Sequence, residues 1–173
     1  KETEPYIENV KRALDWLVGK MGDNGGLQDG GRMYDQAMGT YALAEAYTVT
    51  QDEKLKEPLQ KALDWLVKNQ IQETGGWRYH PVPNEDNQGG DLSVSGWVIA
   101  ALVSGKNAGA KVPREVFEKA GSFVMNQRRA NGAFTYKFNG KGKFNEAGGR
   151  LTMSSVGMFC LQLLGEEVMG PIV

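Results

Sequence analysis

The hexapeptide Ala-Leu-Asp-Trp-Leu-Val occurs twice in this chain, at 13–18 and, identical, at 62–67, 49 positions later. A weaker third copy, AGSFVM from Ala120 to Met125, keeps an aromatic column of Trp16, Trp65 and Phe123. Self-similarity at a long spacing marks stacked repeats, in which no single unit can bury its own apolar face. Each copy runs into a glycine-rich turn ending in a large apolar residue: GDNGGL to Leu27, QETGGW to Trp77 and RANGAF to Phe134. After a loop of growing length each enters a second apolar segment. Aligned without gaps, these segments put Asp35, Asp91 and Thr152 in one column, Tyr41, Trp97 and Met158 in a second, and Ala46, Leu102 and Leu163 in a third. The unit reads as helix, glycine turn, loop, helix, repeated over 6–50, 54–105 and 113–165 within one domain spanning 1–173.

Periodicity supports helices for both members. In the first-type segments apolar residues recur at Val10, Leu14, Leu17 and Val18, then at Leu59, Leu63, Leu66 and Val67, the i, i+3, i+4, i+7 stripe of a helix with one wet face. Second-type segments such as SVSGWVIAALVSG and SSVGMFCLQLLG are apolar nearly all round, as expected of helices buried on several sides. The expected fold is therefore all-α: three helical hairpins, each with an outer and an inner helix. Pro5, Pro58 and Pro113 fall at or near the starts of the outer helices, where a missing N–H costs nothing. In FTYKFNGKGKFNE, Phe134, Tyr136 and Phe138 alternate ahead of Asn139-Gly140, which predicts a short β-hairpin-like loop.

Composition excludes several partners. With 20 Lys plus Arg against 21 Asp plus Glu, a net charge of −1 and no like-charge run, the chain has no nucleic-acid footprint. No stretch approaches the ~20 apolar residues that span a bilayer, so a soluble chain is expected, extracytoplasmic if the Lys1 start reflects processing. The single cysteine, Cys160, rules out an internal disulfide and reads as a small buried hydrophobe.

The turns QIQETGGW (70–77) and QRRANGAF (127–134) resemble the Q…G-x-W repeats of squalene and hopene cyclases and of protein prenyltransferase β-subunits. The order of motifs is most similar to that of bacterial, planctomycete-type prenyltransferase/squalene-oxidase repeat proteins: Met33 to Leu55, Ala62 to Gln70, GGWRY at 75–79, DLSVSGW at 91–97 and Thr152 to Gly165. The resemblance covers nearly the whole chain. It implies an α/α-toroid, a ring of antiparallel helical hairpins, of which three hairpins supply about half. It does not by itself imply catalysis.

The chemistry of those enzymes is not written here. Neither the DxDD acid of hopene-type cyclases nor the DDxxD of head-to-tail prenyl synthases occurs, and the adjacent acidic pair Glu85-Asp86 lies in a polar loop. Where the prenyltransferase resemblance would place a zinc site, Asp91 is followed two residues on by Ser93 rather than Cys, and a hydroxyl is a poor zinc ligand. No metal and no cofactor is expected. The Asp35, Asp91 and Thr152 column reads instead as helix N-caps, worth ~1 kcal/mol each. Gln70, Gly75, Gly76 and Trp77, with Gln127, Gly132 and Phe134, read as a structural joint in which the Gln amide ties up orphan backbone groups of the turn.

Arg78, Tyr79 and His80, with Asp86, Asp91 and Arg150, are candidates for the rim of a concave face lined by Tyr34, Tyr79, Tyr136, Phe138 and Phe144. A lone histidine in a loop more simply reads as a surface residue. The leading functional expectation is a non-catalytic repeat module that binds a peptide, glycan or lipid-like ligand on that face. The alternatives are a terpenoid cyclase or prenyltransferase-type enzyme acting on an isoprenoid, and a carbohydrate-active enzyme, which would need paired carboxylates. An arc of three repeats has unsealed ends. The apolar last helix, 152–165, is therefore expected to pack on further repeats of a longer protein, on a second copy as a homodimer, or on the terminal segment MGPIV.

Overall fold

The structure is a computed structural model that describes residues 6–27, 32–81, 89–136 and 149–165. Pro5, Glu85-Asp86, the 137–148 segment with Phe138, Asn139-Gly140 and Phe144, and the MGPIV tail all lie outside the described residues. Among the described residues six helices account for the architecture: α1 (Ile7–Gly19), α2 (Met33–Thr50), α3 (Glu53–Lys68), α4 (Leu92–Asn107), α5 (Arg114–Asn126) and α6 (Leu151–Leu164). The chain is all-α. Among the described residues β-type pairing is confined to isolated bridges, Met21 with Leu27, Arg128 with Phe134 and Phe134 with Arg150.

The helices form two layers. α2, α4 and α6 pack side by side in chain order, α3 packs on both α2 and α4, and α5 on both α4 and α6. Twelve of the 16 residues of α4 are buried, which explains why its sequence has no polar stripe. The amphipathic α3 and α5 close the core from outside with Leu59, Leu63, Leu66, Phe117 and Phe123, each contributing roughly 1.5–3 kcal/mol by burial. α1, by contrast, buries no residue at all.

α3 begins five residues before Pro58, at a start capped by Asp52, whose Oδ1 accepts the Lys54 N–H at 3.0 Å. Pro58 therefore lies inside the helix rather than at its first turn, while Pro113 is the N-cap residue of α5.

The turns join each repeat to the next outer helix. In turn 2 the buried Gln70 donates through Nε2 to its own Gly75 carbonyl at 2.9 Å and to Val116 of α5 at 3.0 Å. Trp77, fully buried, donates its indole N–H to the Leu66 carbonyl at 2.8 Å. Gly75 has φ +81°, and a Cβ there would sit 2.2 Å from the Lys119 carbonyl oxygen of α5. Turn 1 repeats the contact: Gly25 has φ +84°, with Lys61 O of α3 at 2.1 Å from the same position. The following glycines carry the aromatic column, since a Cβ on Gly26 would meet Trp65 and one on Gly76 would meet Phe123.

These contacts correct the inner-helix alignment. Leu27 N–H donates to Gln36 Oε1, Trp77 N–H to Ser95 Oγ and Phe134 N–H to Ser154 Oγ, so Gln36, Ser95 and Ser154 are the equivalent residues. The N-caps are Arg32, Asp91 and Arg150, evenly spaced by 59 residues (32 to 91, 91 to 150). Asp35 and Thr152 fall inside the first turns of α2 and α6, and only Asp91 caps with its side chain. The capping role expected for the whole column belongs to one member.

Gly75→Ala and Gly25→Ala should each cost roughly 2–5 kcal/mol, combining left-handed strain with a methyl driven into a carbonyl. Gly132 has φ +85° but nothing among the described residues within 4 Å of where a Cβ would stand. Gly132→Ala should therefore cost only the strain, about 1–2 kcal/mol. Urea denaturation of the three variants checks the difference.

Candidate functional site

At the N-terminal end of the inner layer the loops bring several tyrosines together. Met33 N–H donates to the Tyr79 carbonyl at 2.8 Å and Leu92 N–H to the Tyr136 carbonyl at 3.0 Å, so each loop is pinned to the inner helix of the preceding repeat. Tyr79 and Tyr136 are thus repeat-equivalent residues, so Tyr79 of the Arg78-Tyr79-His80 triplet belongs to the repeat. Their hydroxyls hydrogen-bond to each other. The Tyr34 ring lies against the Tyr79 ring at 5.5 Å between centroids, and its hydroxyl shares a 2.6 Å hydrogen bond with Ser93 Oγ.

Asp91 anchors this cluster from below. It is fully buried, and its Oδ1 accepts from Ser93 N–H at 3.0 Å, Ser93 Oγ at 2.7 Å and Val94 N–H at 3.2 Å. Its Oδ2 is buried with no hydrogen-bond partner among the described residues. Burial raises the Tyr136 hydroxyl well above the usual phenol range, and the Tyr79 hydroxyl and Asp91 carboxylate beside it push the same way. Tyr34 is also raised, by burial first, with Asp91 and Tyr79 adding to it and the Ser93 hydrogen bond opposing. The Arg150 guanidinium lies 5.5 Å from the Tyr136 ring centre, in cation–π range.

Of the residues expected at a rim, Tyr79, Asp91, Tyr136 and Arg150 come together with Tyr34. His80 is exposed at the edge of a described segment, and Arg78 is half-buried, its Nε without a partner among the described residues. Ser93 is the member that sequence reasoning undervalued: weighed only as a missing thiolate, it bridges Asp91 and Tyr34. Among the described residues no three His, Cys, Asp or Glu side chains come together as metal ligands. Cys160 is buried in α6, and desolvation pushes its thiol up to about 12, which removes thiolate chemistry at neutral pH.

One turn along the inner helices the surface becomes apolar. Met38 of α2 and Trp97 of α4 occupy equivalent, exposed positions, and Tyr41 meets Trp97 edge-on at 6.5 Å. Phe159 of α6, the equivalent of Tyr41, is exposed as well. The site is thus an aromatic and thioether surface ending in a hydroxyl-rich rim over a buried carboxylate. No helix among the described residues is long and apolar enough to cross a membrane. No protein-family model matches the chain, and no curated protein matches it significantly.

Because folding raises the Tyr34 and Tyr136 pKa values, the neutral phenols contribute stability that is fully present below the ordinary value of 10.0 and lost as pH climbs through the raised values. Ultraviolet difference titration should show two phenols ionising late, together with unfolding. Tyr34→Phe/Tyr136→Phe should flatten the alkaline fall in melting temperature.

Proposed function

We propose that this chain is a non-catalytic repeat module of the prenyltransferase/squalene-cyclase-like type that binds a lipid-like ligand along the free face of its inner helices. The observation that carries this reading is the exposure of Met38, Trp97 and Phe159 on α2, α4 and α6, with Tyr41 half-buried and edge-on to Trp97. A contiguous apolar surface rimmed by polar groups is the usual form of a binding site. The hydroxyls of Tyr34, Tyr79 and Tyr136 and the Arg150 guanidinium would meet a polar head group, while the aromatic side chains meet the apolar body.

The non-catalytic part of the reading is supported by how the polar groups are spent. Asp91 Oδ1 is committed to capping α4 and holding Ser93, and the raised phenols ionise too late to serve as bases at neutral pH. The enzyme alternative rests on Asp91 Oδ2 alone, the buried carboxylate oxygen without a partner among the described residues. A carboxyl group positioned to protonate an alkene would require that oxygen to face the bound hydrocarbon.

The test is titration with a long-chain isoprenoid alcohol, followed by intrinsic tryptophan fluorescence. Saturable binding is expected, weakened roughly tenfold by Trp97→Ala, as for a buried aromatic anchor. Binding of an oligosaccharide or peptide with no response to the alcohol would overturn the ligand class. Turnover of an isoprenoid substrate, abolished by Asp91→Asn, would instead favour the enzyme.

A further inference from the structure

The two ends of the array expose what its interior buries. On α1, Val10 and Trp16 are 54% and 57% exposed and Ala13 is also exposed. Leu59 of α3, the repeat equivalent of Val10, is 1% exposed, and Ala62, the equivalent of Ala13, is fully buried. On α2, Asp35 and Ala42 are exposed where their α4 equivalents Val94 and Ala101 are buried. At the other end, Leu151 and Met158 of α6 are 87% and 66% exposed, while Leu92 and Ile99 hold the same positions on α4 fully buried.

Turn 3 shows the same contrast at atomic detail. Gln127 is fully buried like Gln70, with its Oε1 accepting from Thr135 Oγ1 at 2.9 Å, yet its Nε2 has no partner among the described residues. Gln70 uses that nitrogen to hold the next outer helix, through the Val116 carbonyl. Gly132 keeps the left-handed φ of Gly25 and Gly75, but among the described residues no helix carbonyl lies against it.

We propose that α1 and α2 of a second copy of this chain dock, head to tail, on turn 3 and α6. The chain makes this contact twice within itself, and α1 carries the same ALDWLV face that α3 uses to make it. By equivalence, the Asn9 carbonyl of the incoming α1 accepts from Gln127 Nε2, its Arg12 carbonyl seats on Gly132, and its α2 covers Leu151 and Met158. Asp35 of the incoming α2 stands where α4 buries Val94, and two residues around turn 3 depart from the internal joints as well. Ala133 stands where Gly26 and Gly76 receive an aromatic ring, so its methyl displaces Trp16. Arg129 stands where Gln72 accepts from Lys119, and it faces Arg12. Both weaken this joint relative to those inside the chain, so it opens without unfolding.

Sedimentation equilibrium of the full chain tests the proposal. Self-association is expected, strengthened by Ala133→Gly and weakened roughly tenfold or more by Trp16→Glu at the head or Met158→Glu at the tail, both exposed in the single copy. Mixing the two glutamate variants should restore a dimer, because one copy keeps an intact tail and the other an intact head. Arg12→Cys mixed with Asn131→Cys should give a disulfide-linked pair, and this readout needs neither glutamate. A chain that stays monomeric at every concentration overturns the proposal. So does association that Trp16→Glu or Met158→Glu leaves unchanged, a mixture that fails to pair, or cross-linking only between identical cysteine variants.

Discussion

A backbone carbonyl of one helix lies where a side chain of the preceding turn would have to be. At Gly75 the missing Cβ would stand 2.2 Å from Lys119 O, and at Gly25 2.1 Å from Lys61 O, so only glycine lets the turn and the next outer helix close together. Positive φ at both positions reverses the chain within that space. Around this approach the other joint contacts become available: Gln70 reaches Val116 O, Trp77 fills the space beneath, and Phe123 covers Gly76. The core gathers behind a contact made by the absence of atoms.

The second tie between repeats runs from each loop back to the preceding inner helix, Tyr79 O to Met33 N–H and Tyr136 O to Leu92 N–H. Because the first N–H groups of a helix need partners, this bond is structural in origin. Its by-product is chemical. It sets the Tyr79 and Tyr136 side chains at the mouth of the inner layer, beside Tyr34 and over Asp91, so the rim of the candidate site is built from the same contacts that stack the repeats.

Much of this is legible in the residues. The stripes of Leu59, Leu63 and Leu66 announce an amphipathic helix, and the Gln-to-Trp turns announce a joint, because both patterns have a phase that sequence can display. The register of the inner helices is not legible, for a physical reason: α4 is buried on nearly every side, so it carries no polar stripe to fix its rotation. The equivalent acceptors Gln36, Ser95 and Ser154 differ in chemistry, and Arg32 and Arg150 make no side-chain cap, so nothing in the residues marks the common start. The exposure of Trp97 is hidden for the same reason, since an outward aromatic on an all-apolar helix looks like core. The hairpin and the acidic pair lie outside the described residues.

Native-state hydrogen exchange on the full chain carrying Gly75→Ala tests most directly whether the glycine approach couples one repeat to the next. Local opening follows cooperative units, so amides of α5, Arg114–Asn126, should lose protection well before those of α3, Glu53–Lys68, whose own joint through Gly25 is intact. Equal loss in both helices, or no loss in α5, would contradict a joint that holds the array together turn by turn.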